Sequence, residues 1–154
     1  MNKKKHLRYQ AKESAAVQRN FENYHLITST AKISTPTHGG RAKCLQRLVR
    51  LDLPVPKTVA LSFDVIKEIA FGKMPNLNDI LSNFAPTDIL CVRPSSESSD
   101  WGGPGAVLNI GMHEERCSHL KKYIGEKAAS ELYFRFIQAY SVSVARLDPD
   151  IFDH

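Results

Sequence analysis

The sequence predicts an α+β chain on three observations. Four short β-prone runs are scattered along it, apolar residues recur at three- and four-residue spacing in the segments between and after them, and glycine-rich loops stand at the ends of the runs. With 154 residues, 42% of them hydrophobic, the chain is long enough for one domain that buries most of its apolar side chains and short for two.

HLIT (25–28) reads as a short strand leading into the Ser/Thr/Pro-rich STAKISTPTHGG. From Arg41 to Leu51 the residues Cys44, Leu45, Leu48, Val49 and Leu51 follow helical spacing. That helix is opened by Gly39-Gly40 and ended by Leu53-Pro54-Val55-Pro56. Thr58–Leu61 is β-prone, and Ser62 is placed to N-cap a helix from Phe63 to Phe71 with Val65, Ile66 and Ile69 inward and Gly72 at its end. Asn76–Phe84 repeats that plan in miniature. The nearly all-apolar run Asp88–Arg93 predicts a strand covered on both faces. After a Gly-rich loop, Ala106–Ile110 is another strand, and 113–124 and 126–146 read as helices. In the last helix Leu132, Phe136, Ala139, Tyr140 and Ser143 form a stripe that reads as a core face.

The formal charge of +5 is concentrated at one end. Lys3, Lys4, Lys5, Arg8 and Lys12 come with no acid among the first twelve residues, and without them the basic and acidic side chains balance at 16 each. Residues 1–24 are therefore expected to be a basic, flexible tail, and nucleic acid is not the favoured partner of a neutral body. No apolar stretch approaches the roughly 20 residues of a spanning helix. The basic start leads into Ala-Lys-Glu-Ser rather than an apolar signal core, so a cytosolic protein without membrane attachment is expected. Cys44, Cys91 and Cys117 lack C-x-x-C spacing and stand in apolar contexts, which predicts reduced core thiols and no metal site.

Two segments carry candidate chemistry. In T-H-G-G-R (37–41) two glycines allow close backbone approach at a helix start, where unpaired amides and the dipole favour an anion. Arg41 in that first turn opposes the dipole unless an anion binds; the alternative is a plain glycine turn with a solvent-facing arginine. In VRPSSESSDWGGPGAVLNIG (92–111) Arg93 ends a predicted strand, where ligands of open α/β sheets lie. Ser95, Ser96, Ser98 and Ser99 offer hydroxyls, while Gly102, Gly103 and Gly105 let amides close on phosphate oxygens beside Trp101. The alternative is a surface loop pinned by one buried tryptophan. Neither the P-loop nor the dinucleotide fingerprint is present, and a hydrolase triad is disfavoured because there is no G-x-S-x-G. No catalytic residue is assigned.

The segments GGRAKCLQRLVRLDLPVP, ILCVRPSSESSDWGGPGAVLNIGM and LYFRFIQAYSVSVARLDPDIF, in this order, resemble the N-terminal nucleotide-binding region of pyruvate, phosphate dikinase. The resemblance runs from His38 to Phe152. It implies the first lobe of an ATP-grasp fold: residues 25–112 as the nucleotide-binding lobe with a mobile loop 94–105, and 113–154 as a helical segment continuing towards a second lobe. Arg41 falls on the lysine of the family's G-G-K and Arg93 on the arginine of its V-R-S, which implies two phosphate-contacting cations. Gly39, Gly40, Ser95, Ser96, Gly102, Gly103 and Gly105 complete the implied nucleotide site. ATP with Mg²⁺ is the implied ligand, with the metal-binding carboxylates and the phosphohistidine domain expected outside this chain. The sequence departs from the family at Arg41, at Glu97 where the family has a second arginine, and in W-G-G-P-G-A, as a divergent branch would. The rival expectation is a non-catalytic module that contacts protein or nucleic acid through the basic tail. A lobe separated from its partner would also expose apolar surface, and a dimer through the final helix would fit that.

Overall fold

In the computed structural model, residues 24–98 and 105–152 are described. The basic tail, Trp101, Gly102 and Gly103 lie outside them. Two small antiparallel sheets are present among the described residues, each a pair of strands. The fold is mixed helix and strand. Packing divides the chain into two units, Met1–Phe84 with Ser95–Asp100, and Ala85–Pro94 with Trp101–His154.

In the first unit β1 (Tyr24–Leu26) pairs with β2 (Val59–Leu61), His25 opposite Ala60. Between them runs α1 (Thr35–Arg50), a helix in two pieces. Its first turn forms because Pro36 supplies a ready-made helical φ and the Ser34 and Thr37 hydroxyls bond at 2.7 Å. Gly39, at φ 82° and ψ 168°, then breaks the turn, and the helix restarts at Gly40. The core beneath gathers Ile27, Ile33, Ala42 and Ala60, with Ala31, Leu45 and Val49 packed on it. Gln46 is wholly buried among them. Its amide donates to the carbonyls of Thr28 (3.2 Å) and Ala31 (2.5 Å), while its oxygen accepts from Lys43 at 2.9 Å. One polar side chain thus ties the irregular 28–33 segment to α1. Beyond β2, the Ser62 hydroxyl accepts the Val65 amide and caps α2 (Phe63–Ala70), and the side-chain carbonyl oxygen of Asn76 accepts the Asn78 amide to cap α3 (Leu77–Leu81).

The second unit holds β3 (Leu90–Val92), β4 (Val107–Ile110), α4 (Glu114–Ile124) and α5 (Glu126–Ser143), with a closing 3₁₀ turn at Pro149–Phe152. Met112, Cys117 and Ala129 form its core, joined by Leu120, Leu132, Tyr133 and Phe136. The β3–β4 register slips between Leu90 and Val92, and Asn109 in β4 takes a left-handed φ of 57°. Its side chain donates to the Leu132 carbonyl in α5 at 3.1 Å, which fixes the irregular strand to the helix. Arg116 in α4 donates to the carbonyls of Gly111, Asp88 and Pro86, joining the chain that enters β3 to the chain that leaves β4 at the open end of the hairpin.

Four expectations are corrected. β3 is not covered on both faces: Cys91 and Val92 are exposed, because β4 pairs with it antiparallel and no further strand joins them among the described residues. Cys117 is a core thiol, but Cys44 and Cys91 are exposed. On α2 Val65 points inward and Ile66 is half exposed; on α1 the inward face runs Ala42, Leu45, Gln46, Val49, leaving Leu51 at 68% exposure. The stripe on α5 packs at Leu132 and Phe136, whereas Tyr140 and Ser143 are exposed.

Candidate functional site

The break at Gly39 creates a second helix start inside α1, and a helix start presents unpaired backbone amides. Here two of them meet the segment that follows β3. The Gly40 amide donates to the Ser96 carbonyl at 2.7 Å, and the Ala42 amide to the Ser95 hydroxyl at 3.1 Å. The same Ser95 hydroxyl donates to the His38 carbonyl at 2.7 Å. Ser95 therefore serves as the N-cap of a helix that begins more than fifty residues earlier in the chain. The Ser96 hydroxyl turns the other way and donates to the Ser98 carbonyl.

Gly39 is required twice over. Its φ and ψ fall in a region open essentially to glycine alone, and a Cβ there would overlap the Ser95 backbone and hydroxyl. The sequence assigned this glycine pair to the close approach of an anion; the approaching group in the structure is the 95–96 backbone.

His38, beside that break, is 4% exposed. Its Nδ1 bonds the Thr37 hydroxyl at 2.8 Å, its Nε2 is buried without a hydrogen-bond partner among the described residues, and its ring lies 5.4 Å from that of His25 on β1. Burial, and then the like charge of His25, hold its pKa below the ordinary imidazole value. At neutral pH the ring is uncharged.

The other residues that the sequence singles out are placed as follows. Arg41 is exposed in the first turn after the break, where the local dipole is positive. Arg93 is exposed directly after β3, in the second unit. Gly105 is exposed with open space where a side chain would stand. The structure brings Gly39, Gly40, Arg41, Ser95 and Ser96 together within the first unit. No group of three or more His, Cys, Asp or Glu side chains suited to a metal ion occurs among the described residues. No protein-family model matches the chain, and no curated protein matches it. No helix among the described residues is long and apolar enough to cross a membrane.

Two residues that matter here were given no role by the sequence. His38 stands inside the T-H-G-G-R motif, but its burial beside His25 of β1 has no local signal. Gln46 did carry one: Ala42, Leu45, Gln46 and Val49 stand at i, i+3, i+4 and i+7, so a polar side chain sits in the middle of the inward face.

Proposed function

We propose that the chain is the phosphate-gripping lobe of a pyruvate, phosphate dikinase-like phosphotransferase of ATP-grasp type, and that it does not transfer phosphoryl groups alone. The observation that supports this reading is the docking of Ser95 and Ser96 on the Gly39-Gly40 helix start. The two segments that carried anion-binding signals in the sequence are more than fifty residues apart, and they meet through three hydrogen bonds. In this reading Ser95 and Ser96 anchor the base of the 94–105 loop, and Arg41 supplies a cation beside it. Arg93 is assigned its role from the resemblance, as are Gly102, Gly103 and Gly105. Because the Gly40 and Ala42 amides already have acceptors within the chain, the group that this helix start offers a phosphate would be the Arg41 guanidinium rather than these two N–H groups. Magnesium, when bound, supplies charge neutralisation of the phosphate oxygens. The lobe contributes positioning and charge stabilisation.

The test is a titration of the full chain with Mg·ATP, followed by Trp101 fluorescence and checked by calorimetry. A saturable response at up to millimolar nucleotide, lost in Arg41→Ala and Arg93→Ala, is the expected result. A flat titration in a folded wild-type chain overturns the reading.

One observation favours a second reading, a protein-binding module. Phe71, Met74, Leu77 and Leu81 are exposed at 85%, 64%, 49% and 49% around α2 and α3. Soluble monomers rarely leave so many large apolar side chains bare over a short segment. Concentration-dependent sedimentation that disappears in Phe71→Ser/Met74→Ser, with no response to nucleotide, would support it instead.

A further inference from the structure

We infer that His38 is a proton-operated latch: adding a proton to its ring releases the 95–98 segment from the helix start at Gly40. The argument is geometric. His38 is almost wholly buried, and its Nδ1 is committed to the Thr37 hydroxyl. In the neutral ring Nε2 goes without a partner, a cost that a folded chain can carry. A full positive charge on the same buried ring costs more, because in either neutral tautomer the protonated ring carries an Nε2–H with no acceptor in reach among the described residues.

Of the charges around the ring, His25 on β1 is of like sign and acts against protonation. Arg41 on α1 and Glu97 on the docked segment are exposed, and the Lys43 ammonium is committed to Ile33 and Gln46. No described carboxylate forms an ion pair with His38. The protonated ring therefore gains by moving towards water. Its backbone cannot follow without consequence, since the His38 carbonyl accepts from Ser95 and the next residue is Gly39, packed against that same serine. A shift of the His38 backbone thus disturbs the docked contact. The latch operates with or without nucleotide; only its effect on phosphate grip, a weakening on acidification, rests on the proposed function.

The experiment is amide hydrogen exchange on the nucleotide-free full chain from pH 7.5 to 5, expressed as protection factors. The Gly40 and Ala42 amides are expected to lose protection by up to about tenfold per pH unit below 6.5, and at every pH to stay less protected than α1 interior amides such as Val49, which exchange only when the unit unfolds. His38→Gln should remove the pH dependence, and His25→Ala should shift its midpoint upward by taking away the like charge. Should His38→Gln fail to fold, the His25→Ala shift in an otherwise wild-type chain decides. Protection at Gly40 that does not vary with pH, or that equals the protection of Val49 throughout, overturns the latch and leaves the nucleotide reading to its own titration.

Discussion

Gly39 and Ser95 pack so closely that no Cβ fits between them. The glycine's positive φ turns the chain out of the first helical turn, and the room left by its missing side chain is filled by the Ser95 backbone and hydroxyl. Gly39→Ala combines backbone strain with a steric clash and should destabilise by ~2–4 kcal/mol. Gly105→Ala, at a glycine with open space around it, should stay within about 0.5 kcal/mol. Urea melts of both variants check this; equal midpoints would show that the close contact contributes nothing.

Ser95 both donates to the His38 carbonyl and accepts from the Ala42 amide. Ser95→Ala removes the two bonds and leaves a helix-start amide without its acceptor, at a cost of about 1–2 kcal/mol. Faster exchange should be confined to Ala42 and its neighbours. A global loss of protection would mean that the segment supports the whole unit rather than the helix start.

Local chemistry made much of this fold legible. Ser62 and Asn76 announced their helices as caps, and each β-prone run became a strand within two or three residues of its expected ends, but Gly39-Gly40, expected to open a helix, lies inside one that already begins at Thr35. What the sequence did not disclose was pairing. The Asp88–Arg93 run looked like a strand buried on both faces because all-apolar composition is the usual mark of one, yet its pairing with β4 alone leaves Cys91 and Val92 in solvent. At the candidate site the residue types were visible and the partner was not. Nothing local to Gly39 says whether the group that approaches it is a phosphate or the carbonyl of a serine in a distant loop.

Gln46 tests how the first unit is held together. Replacing it with leucine keeps the volume but takes from the Thr28 and Ala31 carbonyls one donor each, leaving them the Ala31 and Ile33 amides, and from the Lys43 ammonium one of its two acceptors. The expected loss is ~1–3 kcal/mol, even though leucine is the more hydrophobic side chain. Gln46→Glu should cost at least as much at neutral pH, since a carboxylate cannot donate to either carbonyl. A leucine variant as stable as wild type would show that packing, not polar bonding, fixes the 28–33 segment.

Stability should fall towards both acid and alkali. His38 has its pKa lowered by burial and by His25, so the unfolded chain binds the proton more readily; stability from this group is present above about 6.5 and lost as pH falls below it. Tyr24 has its pKa raised by burial and by the charge of Asp79, so its contribution is present below about 10 and lost as pH rises past it. Chemical melts at pH 5, 8 and 10.5 should give the highest midpoint at pH 8. His38→Gln should flatten the acid limb and Tyr24→Phe the alkaline one, each leaving the other in place.

Asn109 separates two effects in the second unit. It adopts a left-handed φ inside β4, a conformation asparagine tolerates better than most residues, and its side chain holds the Leu132 carbonyl of α5. Asn109→Gly keeps the backbone conformation and loses the bond, for about 1 kcal/mol. Asn109→Val loses both and forces a β-branched side chain into left-handed backbone, so it should cost ~2–3 kcal/mol more than the glycine variant. If the two variants melt together, the strand relaxes to ordinary φ without penalty and the slipped β3–β4 register is not held by this residue. If glycine melts with wild type, the bond to α5 carries no weight, and Arg116 is left as the clamp on the hairpin.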